Sequence, residues 1–364
     1  MNLLPIPYYT DIYYSIILLI VLLTFFYTLG SSGWSSRDKA FNTTSANLLF
    51  WFLIIIIGLR PLSWVFGDMG TYAHYFHDMQ IDGQITSSGD WGFYILMLVL
   101  SKLVSVQLFF LILVVLYIYT LYKACKRLFP NYYYYAFLFL VSSFSFFTYG
   151  TNGLRNGLAT SFFILGLSYA NSRVLRWFWF LLAWSFHSSL VLPIGAYILA
   201  SIYQNTKVYL SFWLLSIFMS LAMGSFWENL FMRFGLNFSN RVGDYFTEKD
   251  LYQDSFSSTG FRWDFLLYSA LPIYVAYYFI FKRDFRDKFY TKLVNMYLIT
   301  NVVWILVIRA SFTNRFAYLS WFMMGLVIVY PFLKKVYWKD QYMRMGLVLV
   351  LYYSFTYFMN VIVY

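Results

Sequence analysis

The chain is built from apolar runs of membrane-spanning length, separated by short polar connections that hold most of its charge. Hydrophobic residues make up 61% of the 364 residues, and charged residues only 11%. A helix needs roughly 20 apolar residues to cross the hydrocarbon core of a bilayer. The pattern excludes an ordinary soluble domain and predicts an all-α, polytopic integral membrane protein.

The apolar runs predict about twelve transmembrane helices in one membrane domain, 1–364, with both termini outside. The stretch 174–204 is too long for one span and is interrupted by His187-Ser188-Ser189, so we expect two short helices there. The single spans are predicted at 12–30, 45–60, 105–123, 132–149, 154–171, 208–226, 263–281, 292–309, 315–333 and 345–362.

Three remaining segments do not fit simple spans. Segments 61–90 and 227–262 are polar and are expected to be external loops. Segment 91–104 is apolar, but a crossing there would place Lys123, Lys126 and Arg127 outside. We therefore expect 91–104 to form an interfacial or re-entrant helix.

The basic residues are sorted between alternate connections. One set mixes lysine with arginine and marks the cytoplasmic side by the positive-inside rule. The net charge of +11 is therefore better explained by anionic lipid headgroups than by nucleic acid. This set comprises Arg37, Lys39, Lys123, Lys126, Arg127, Arg173, Arg176, Lys207, Lys282, Arg283, Arg286, Lys288, Lys292, Lys334, Lys335, Lys339 and Arg344.

The outer connections instead carry arginine almost exclusively. Arginine at a membrane boundary is costly and is usually functional. Its planar guanidinium binds two phosphate oxygens at once, which lysine cannot do. The pattern therefore indicates a phosphorylated lipid as ligand. The outer basic residues are Arg60, Arg155, Arg233, Arg241, Arg262, Arg309 and Arg315, with Lys102 and Lys249.

The first outer arginine is followed by a glycine-rich segment, Gly67-Asp68-Met69-Gly70-Thr71-Tyr72. Glycines on both sides of Asp68 allow the backbone to fold closely against a ligand or a helix. If a helix begins near Asp68, Tyr72 lies one turn along the same face. The alternative is a structural ion pair between Arg60 and Asp68.

Arg155 is the strongest single site. It follows Thr151-Asn152-Gly153, a turn that can cap a helix beginning near Leu154. A cation in the first turn opposes the helix dipole, so this position favours a nearby anion. The alternative is that Arg155 snorkels to the lipid headgroups.

His187 lies at the break in 174–204 and is a candidate general base for a sugar hydroxyl. The alternative is a histidine whose hydrogen bonds are satisfied at a helix break. Histidine, cysteine and carboxylate residues do not occur at metal-ligand spacing, and Cys125 is the only cysteine. We predict no metal site and no cofactor.

The later outer segments offer further candidates. Arg241 and Tyr245 are four residues apart, and Arg262 opens an apolar span. For Arg241, loop charge without a role is the alternative. Arg309 and Arg315 border a tight turn, with Tyr318 one helical turn beyond Arg315. The alternative is that an acid such as Asp68, Asp244 or Asp264, and not a ligand, pairs with Arg309 and Arg315.

Four short motifs resemble, in order and spacing, those of the EpsG-like members of the Wzy polysaccharide polymerases. They cover most of the chain, and together they are more specific than any one of them. They are Arg-x(7)-Asp-x(3)-Tyr at 60–72, Gly-Leu-Arg-x(3)-Ala-Thr at 153–160, Phe-His-Ser-Ser at 186–189 and Arg-x(2)-Tyr at 315–318.

The resemblance implies a GT-C-like membrane glycosyltransferase of the bacterial plasma membrane that acts on the outer, periplasmic side. Its donor and acceptor would both be undecaprenyl-pyrophosphate-linked oligosaccharides, with no nucleotide sugar or metal. Preorganised cations would stabilise the leaving pyrophosphate. His187 or Asp68 would act as the base. The substrate-binding candidates are Arg155, Arg309 and Arg315, then Arg60, Arg241 and Arg262, with Tyr72, Tyr245 and Tyr318 for sugar rings.

Three other functions remain open at this stage. A related ligase would bind the same donor but move finished glycan to a different acceptor. A flippase or transporter would need cations deep in the bundle and reachable from both sides. A membrane acyltransferase would depend on His187 more than on the arginines.

Overall fold

The computed structural model describes residues 5–31, 35–85, 89–233, 260–310 and 313–363, with side chains omitted at 232–233. Within these ranges the regular structure is entirely helical. The prediction of an all-α fold is therefore confirmed. The chain divides into two compact units, one formed by 1–187 with 332–364 and the other by 188–331.

The first unit contains the helices that carry the earlier motifs. Ser35 caps α2 by accepting the Asp38 N–H, and the Asp38 carboxylate accepts the Ser35 N–H in return. The helices are α1 (Tyr9–Leu29), α2 (Ser36–Leu53, continued by a π turn at Ile54–Gly58), α3 (Met69–Asp82), α4 (Trp91–Ser101), α5 (Val106–Leu128), α6 (Tyr133–Val141), α7 (Phe146–Thr151), α8 (Leu154–Ser168) and α9 (Arg173–Phe186).

The helices after His187 continue the chain as follows. The long α11 has a non-helical residue, Met223, at a kink. Helix α15 crosses the division between the units, and α16 belongs to the first unit. The helices are α10 (Val191–Ile202), α11 (Thr206–Arg233), α12 (Trp263–Tyr277, continued by a π turn at Tyr278–Lys282), α13 (Lys288–Leu306), α14 (Thr313–Trp321), α15 (Met324–Lys334) and α16 (Gln341–Tyr357, followed by a π turn at Phe358–Val363).

Eight helical segments of the described chain are long and apolar enough to cross a membrane. Large apolar side chains are exposed on several of them, including Leu23 and Phe26 on α1 and Phe218 on α11. Exposed apolar surface of this extent suits contact with lipid rather than with water. The protein is a multi-pass membrane protein.

The predicted interruption of 174–204 is confirmed. Helix α9 ends at Phe186, a 3-10 turn covers Ser188–Leu190, and α10 begins at Val191. Segment 91–104 forms a short helix, as expected, because α4 ends at Ser101. Whether α4 lies at the interface or re-enters the membrane stays a prediction.

Several predicted boundaries differ from the structure, and helix α2 begins at Ser36 instead of 45. The span expected at 132–149 is divided into α6 and α7, with Ser142, Ser143 and Ser145 at the break. Serine has a lower helix propensity than leucine or alanine, and Oγ of Ser143 lies 3.3 Å from Oγ of Ser145 at the break. Helix α11 runs to Arg233, past the predicted start of the external loop 227–262. The rest of that predicted loop, from 234 to 259, lies outside the described residues.

Helix α8 is the central element of the first unit. Every residue from Gly157 to Ser168 is buried, and α8 packs on α5 and α9. A helix that is apolar on all sides is stable only when it is surrounded by other elements. Gly157 lies directly against the backbone of Tyr149, so a Cβ there would clash with the Tyr149 carbonyl. This packing fixes the N-terminal end of α8, where Arg155 lies.

Candidate functional site

Two of the sequence motifs meet at the turn between α7 and α8. The Asp68 N–H donates to Oδ1 of Asn152 at 2.9 Å, across 84 positions of the chain. Gly67 has a φ of +62°, and a Cβ at this position would overlap the Asn152 side chain. Gly67 is therefore required both by its left-handed backbone and by the close approach of Asn152. Asn152 joins the start of α3 to the start of α8.

Arg155 lies in the first turn of α8, as predicted, and its guanidinium is bound on two sides. Its Nε donates to the Tyr72 hydroxyl at 2.8 Å. Its Nη1 donates to Oδ2 of Asp90 at 2.7 Å and lies 3.5 Å from the Tyr94 hydroxyl. The anion expected near this helix end is thus the Asp90 carboxylate. These bonds hold the guanidinium against protein groups and do not favour the snorkelling alternative.

The partners of Arg155 are buried more deeply than Arg155 itself. The Asp90 side chain is 7% exposed, whereas the Arg155 side chain is 25% exposed. Tyr72 and Tyr94 are both buried. Burial raises the pKa of Tyr72 to about 12, so its phenol stays protonated at neutral pH. The guanidinium therefore lies at an accessible edge, backed by a buried acid and two buried phenols.

The hydrogen-bond donors at this site outnumber the acceptors. A guanidinium has five N–H donors, and the two on Nη2 of Arg155 have no acceptor among the residues described. The hydroxyls of Tyr72 and Tyr94 are contacted by Arg155 as acceptors, and their own protons likewise have no acceptor in the described ranges. These donors are therefore available to a ligand at the accessible edge of the site. The arrangement suits an oxygen-rich, anionic ligand.

The first predicted base, Asp68, lies beside this cluster. It precedes α3, its carbonyl accepts the Tyr72 N–H at 2.9 Å, and its side chain is half-buried. The structure gives the Asp68 carboxylate no hydrogen bond or ion pair with any described residue. Its negative charge is close enough to raise the pKa of Tyr72, although burial is the larger cause. The expected helix start and the position of Tyr72 are both confirmed.

The second predicted base, His187, follows the last residue of α9 and is buried. Phe186 packs edge-on against Phe93 of α4 and Phe162 of α8. Gly92 touches Ser185 so closely that a Cβ there would overlap the serine side chain. These contacts dock the His187 end of α9 onto α4 and α8, the helices that carry Asp90 and Arg155.

Arg60 is a buried structural cation, 5% exposed. It donates to the Ile57 carbonyl at 2.5 Å and to the Thr151 carbonyl at 3.1 Å. The rings of Phe66 and Phe110 lie 5.7 and 5.9 Å from its guanidinium carbon. The alternative of an Arg60–Asp68 ion pair is wrong, because these backbone carbonyls are the acceptors. Burial lowers the pKa of Arg60 to about 10, so it stays charged at neutral pH.

In the second unit, Arg262 pairs with an acid of its own helix start. Its Nε and Nη2 donate to the Asp264 carboxylate at 2.9 and 2.6 Å, and its guanidinium stacks on Phe265 at 3.7 Å. The Arg262 side chain is 12% exposed. An acid in the first turn of a helix is favourable, so this pair also stabilises the start of α12.

Arg309 is exposed and loosely held. Its Nη2 donates to the Leu221 carbonyl at a long 3.4 Å, next to the kink of α11, and its guanidinium lies 5.9 Å from the Phe261 ring. Arg315 is also exposed. Tyr318 is buried, and Nδ2 of Asn314 lies 3.5 Å from its hydroxyl. Arg309 therefore lies near Phe261, whereas the burial of Tyr318 does not favour its prediction as an open surface for a sugar ring.

Some expected site residues lie elsewhere or are new. Arg241 and Tyr245 lie outside the described residues. Among those described, groups of three His, Cys, Asp or Glu that could hold a metal ion do not occur. Sequence reasoning did not identify Asp90, Tyr94 or Asn152 as site residues. The one signal for Asp90 is an acid immediately before an apolar helix, where burial of its charge requires a partner.

Comparison with known proteins gives one result. No curated protein and no solved structure matches the chain. The model of the EpsG family matches residues 43–364, so the chain belongs to the EpsG family, whose members are polysaccharide polymerase-type membrane proteins.

Proposed function

We propose that this protein is a GT-C-like glycosyltransferase that joins undecaprenyl-pyrophosphate-linked oligosaccharide repeats on the outer face of the bacterial plasma membrane. Family membership supports polysaccharide polymerisation. The observation that carries the finer proposal is the surplus of donors at Arg155, Tyr72 and Tyr94. A pyrophosphate offers several anionic oxygens and would accept from these donors.

The reaction breaks the bond between the anomeric carbon of the donor repeat and its pyrophosphate oxygen. The acceptor sugar hydroxyl forms the new glycosidic bond, its proton passes to a base, and undecaprenyl pyrophosphate leaves. Negative charge grows on the leaving oxygen as the bond breaks. Arg155 would stabilise this charge, because its guanidinium is already fixed by Tyr72 and Asp90 before the ligand arrives.

Asp68 and His187 are the proposed bases. Asp68 is favoured by its position beside Tyr72 and by a carboxylate that the described residues leave without a hydrogen bond or ion pair. A carboxylate next to the leaving-group site can take the proton of an acceptor hydroxyl over a short distance. His187 remains the second proposal, on a helix end docked against the helix that carries Asp90.

The cations of the second unit have a different proposed role. Arg309 and Arg315 are exposed. Exposed guanidinium groups at helix ends attract anionic headgroups over several ångströms, with little demand on geometry. We propose Arg309 and Arg315 as cations that attract the lipid-linked substrates. Arg262, which is paired with Asp264, is a further candidate for binding them, together with Arg241 and Tyr245.

The deciding experiment is the size distribution of surface and lipid-linked glycan in a strain that lacks this chain. A polymerase predicts single repeats that accumulate and longer polymer that is lost. Long polymer stranded on its lipid, with unchanged repeat number, would indicate a ligase. Repeats trapped on the cytoplasmic side would indicate a transporter.

Outer-face action is tested separately by cysteine labelling. The single native cysteine, Cys125, is buried and is replaced by serine. New cysteines replace His77 on α3 or Arg286 between α12 and α13, both of which are exposed. An impermeant reagent added outside is expected to label position 77 and to spare position 286. The reverse pattern would contradict the proposed orientation.

A further inference from the structure

We propose that Asp90 is a positioning residue that also limits the affinity of Arg155 for the leaving pyrophosphate, and so promotes product release. The inference rests on the proposed function, because it assumes that a pyrophosphate contacts Arg155. It assigns a role to the one acid that touches this guanidinium in the described part of the chain.

The first argument is the geometry of the pair. Asp90 and Arg155 meet at 2.7 Å although they are 65 positions apart. Such a short, charge-assisted bond fixes the guanidinium in one orientation. The hydrogen bond from Nε to the Tyr72 hydroxyl prevents the guanidinium from rotating about its bond to Asp90. Asp90 therefore determines which N–H groups of Arg155 remain for a ligand.

The second argument is the order of burial. The Asp90 side chain is 7% exposed and the Arg155 side chain 25%. A ligand therefore meets the arginine first, while the acid stays behind it. Two anions that share one guanidinium repel each other at short distance, more strongly in a buried site than in water. Asp90 must therefore weaken the binding of any phosphate at Arg155.

The third argument concerns the backbone of Asp90. Its φ of 52° lies in the left-handed region, where non-glycine residues are uncommon. It lies immediately before α4, where the next residues Gly92 and Phe93 are packed against α9. Unusual backbone conformations of this kind persist where the surroundings enforce them, often at functional sites. The acid is thus held in place and cannot simply move away from a bound anion.

A weakened pyrophosphate site has a catalytic use. If the site binds the product more tightly than needed, release of undecaprenyl pyrophosphate becomes the slow step. Removal of the Asp90 charge would then strengthen product binding and slow turnover. Tighter product binding together with slower turnover distinguishes the proposed role from a purely structural one. In a purely structural role, removal of Asp90 would weaken product binding and also slow turnover.

The test uses the full-length protein in nanodiscs, with undecaprenyl pyrophosphate as probe and inorganic pyrophosphate as headgroup competitor. Asp90→Asn is expected to bind the probe about tenfold more tightly, as for the loss of one close like-charge contact. Its kcat with lipid-linked repeats should fall, together with a lower KM. Asp90→Glu, which keeps the charge, should not gain affinity for the probe. Asp78→Asn, an exposed acid on α3, is the matched control.

Several results would overturn the proposal. Weaker or unchanged probe binding by Asp90→Asn contradicts it, as does a lower kcat at unchanged probe affinity, which would indicate a base. If Asp90→Asn does not fold, infrared difference spectra of wild-type protein labelled with carbon-13 aspartate replace it. Probe binding should then shift an aspartate carboxylate band that is lost in Asp90→Glu, and the absence of this shift contradicts the proposal.

The failure of the proposed function is seen separately. If the wild type does not bind the probe, or if Arg155→Lys binds it as well as the wild type, the pyrophosphate site itself is wrong. If Arg155→Lys loses binding but Asp90→Asn does not gain it, only the role of Asp90 is wrong.

Discussion

The arginines of the two units are held in different ways. In the first unit, Arg60 and Arg155 are bound by groups 91 and 65 positions away, respectively, through carbonyls, a phenol and a buried acid. In the second unit, Arg262 pairs with Asp264, two positions along the chain, and Arg309 is exposed with one long hydrogen bond among the described residues. Two short hydrogen bonds to buried groups fix the guanidinium of Arg60 and of Arg155, whereas the single 3.4 Å bond of Arg309 leaves that side chain adjustable.

This difference separates two uses of the same residue type. A guanidinium fixed by several hydrogen bonds to buried groups provides geometry, which lysine cannot reproduce. An exposed guanidinium provides mainly charge, which lysine can. The unit that holds Arg155 should therefore be sensitive to the shape of the cation, and the other unit mainly to its sign. Substitutions that keep the charge test this contrast directly.

The largest effect is expected for Arg155→Lys. Lysine keeps the charge but cannot bond Tyr72 and Asp90 at once while presenting further donors to a ligand. Loss of two charge-assisted hydrogen bonds, at about 1.5 kcal/mol each, corresponds to a loss of about 100-fold in rate. The measurement is the polymer ladder formed from lipid-linked repeats by the purified protein.

Arg173→Lys is the matched control for this substitution. Arg173 is exposed in the first turn of α9, on the side predicted to be cytoplasmic. We expect an unchanged ladder. Equal activities for Arg155→Lys and Arg173→Lys would remove the distinction between geometry and charge and would contradict the proposed site.

The sequence predicted the local parts of this arrangement well. The start of α8 at Leu154, the helix after Asp68 and the break at His187 are all encoded by short-range signals. Turn residues, caps and interruptions of apolarity act within a few positions, so they can be read directly from the chain. The positions of Arg155 and Tyr72 on their helices followed from these signals.

The partners of the arginines could not be predicted in the same way. Asp90 bonds Arg155, and the Thr151 carbonyl bonds Arg60, because α3, α4, α7 and α8 pack together. Backbone carbonyls have no sequence signature, so the sequence could not identify the acceptors of Arg60, and the alternative to a ligand was an ion pair with Asp68. The tertiary fold selects among many possible acceptors, and a single sequence does not record that choice.

The second largest effect is expected for Arg60→Met. It retains an unbranched chain among Phe66 and Phe110 but removes both donors to carbonyls. Buried acceptors left without donors cost about 1–3 kcal/mol each. We expect a clear fall in melting temperature in detergent, with activity lost in proportion. Arg60→Lys can keep one of the two hydrogen bonds, so its melting temperature should lie between those of Arg60→Met and the wild type.

Arg344→Lys is the control for Arg60, because Arg344 is an exposed arginine paired with Asp340 one turn away. An exposed pair of this kind contributes less than about 1 kcal/mol. If Arg60→Met melts like Arg344→Lys, then Arg60 does not hold the turn at Thr151. Arg60 would then again be a candidate for binding the ligand.

A smaller effect is expected for Gly67→Ala. The new Cβ would have to occupy a left-handed conformation and displace the Asn152 side chain. The backbone strain alone amounts to about 1–2 kcal/mol. Polymer formation should fall by about tenfold if the displaced turn moves Arg155. The polymer ladder and the melting temperature are measured together.

A second substitution separates the backbone strain at position 67 from the overlap with the Asn152 side chain. Asn152→Ala in the Gly67→Ala background removes the overlap but also the bond to the Asp68 N–H. The double variant should be less impaired than the sum of the two single variants, because both act on one contact. Additive losses would show that Gly67 and Asn152 act independently and do not join the two motifs.

The smallest effect is expected for Arg309→Lys. Arg309 is exposed, and its only hydrogen bond within the described residues is the 3.4 Å contact with the Leu221 carbonyl. Lysine keeps the charge that would attract a headgroup, so polymer formation should stay within about threefold of the wild type. Arg309→Glu, which reverses the charge, should raise the KM for lipid-linked repeats in buffer of low ionic strength. In high salt the KM should return toward the wild-type value. A loss for Arg309→Lys as large as that for Arg155→Lys would mean that both units supply fixed guanidinium geometry. The pyrophosphate would then be bound by Arg309 in the same way as by Arg155, and the contrast between the two units would fail.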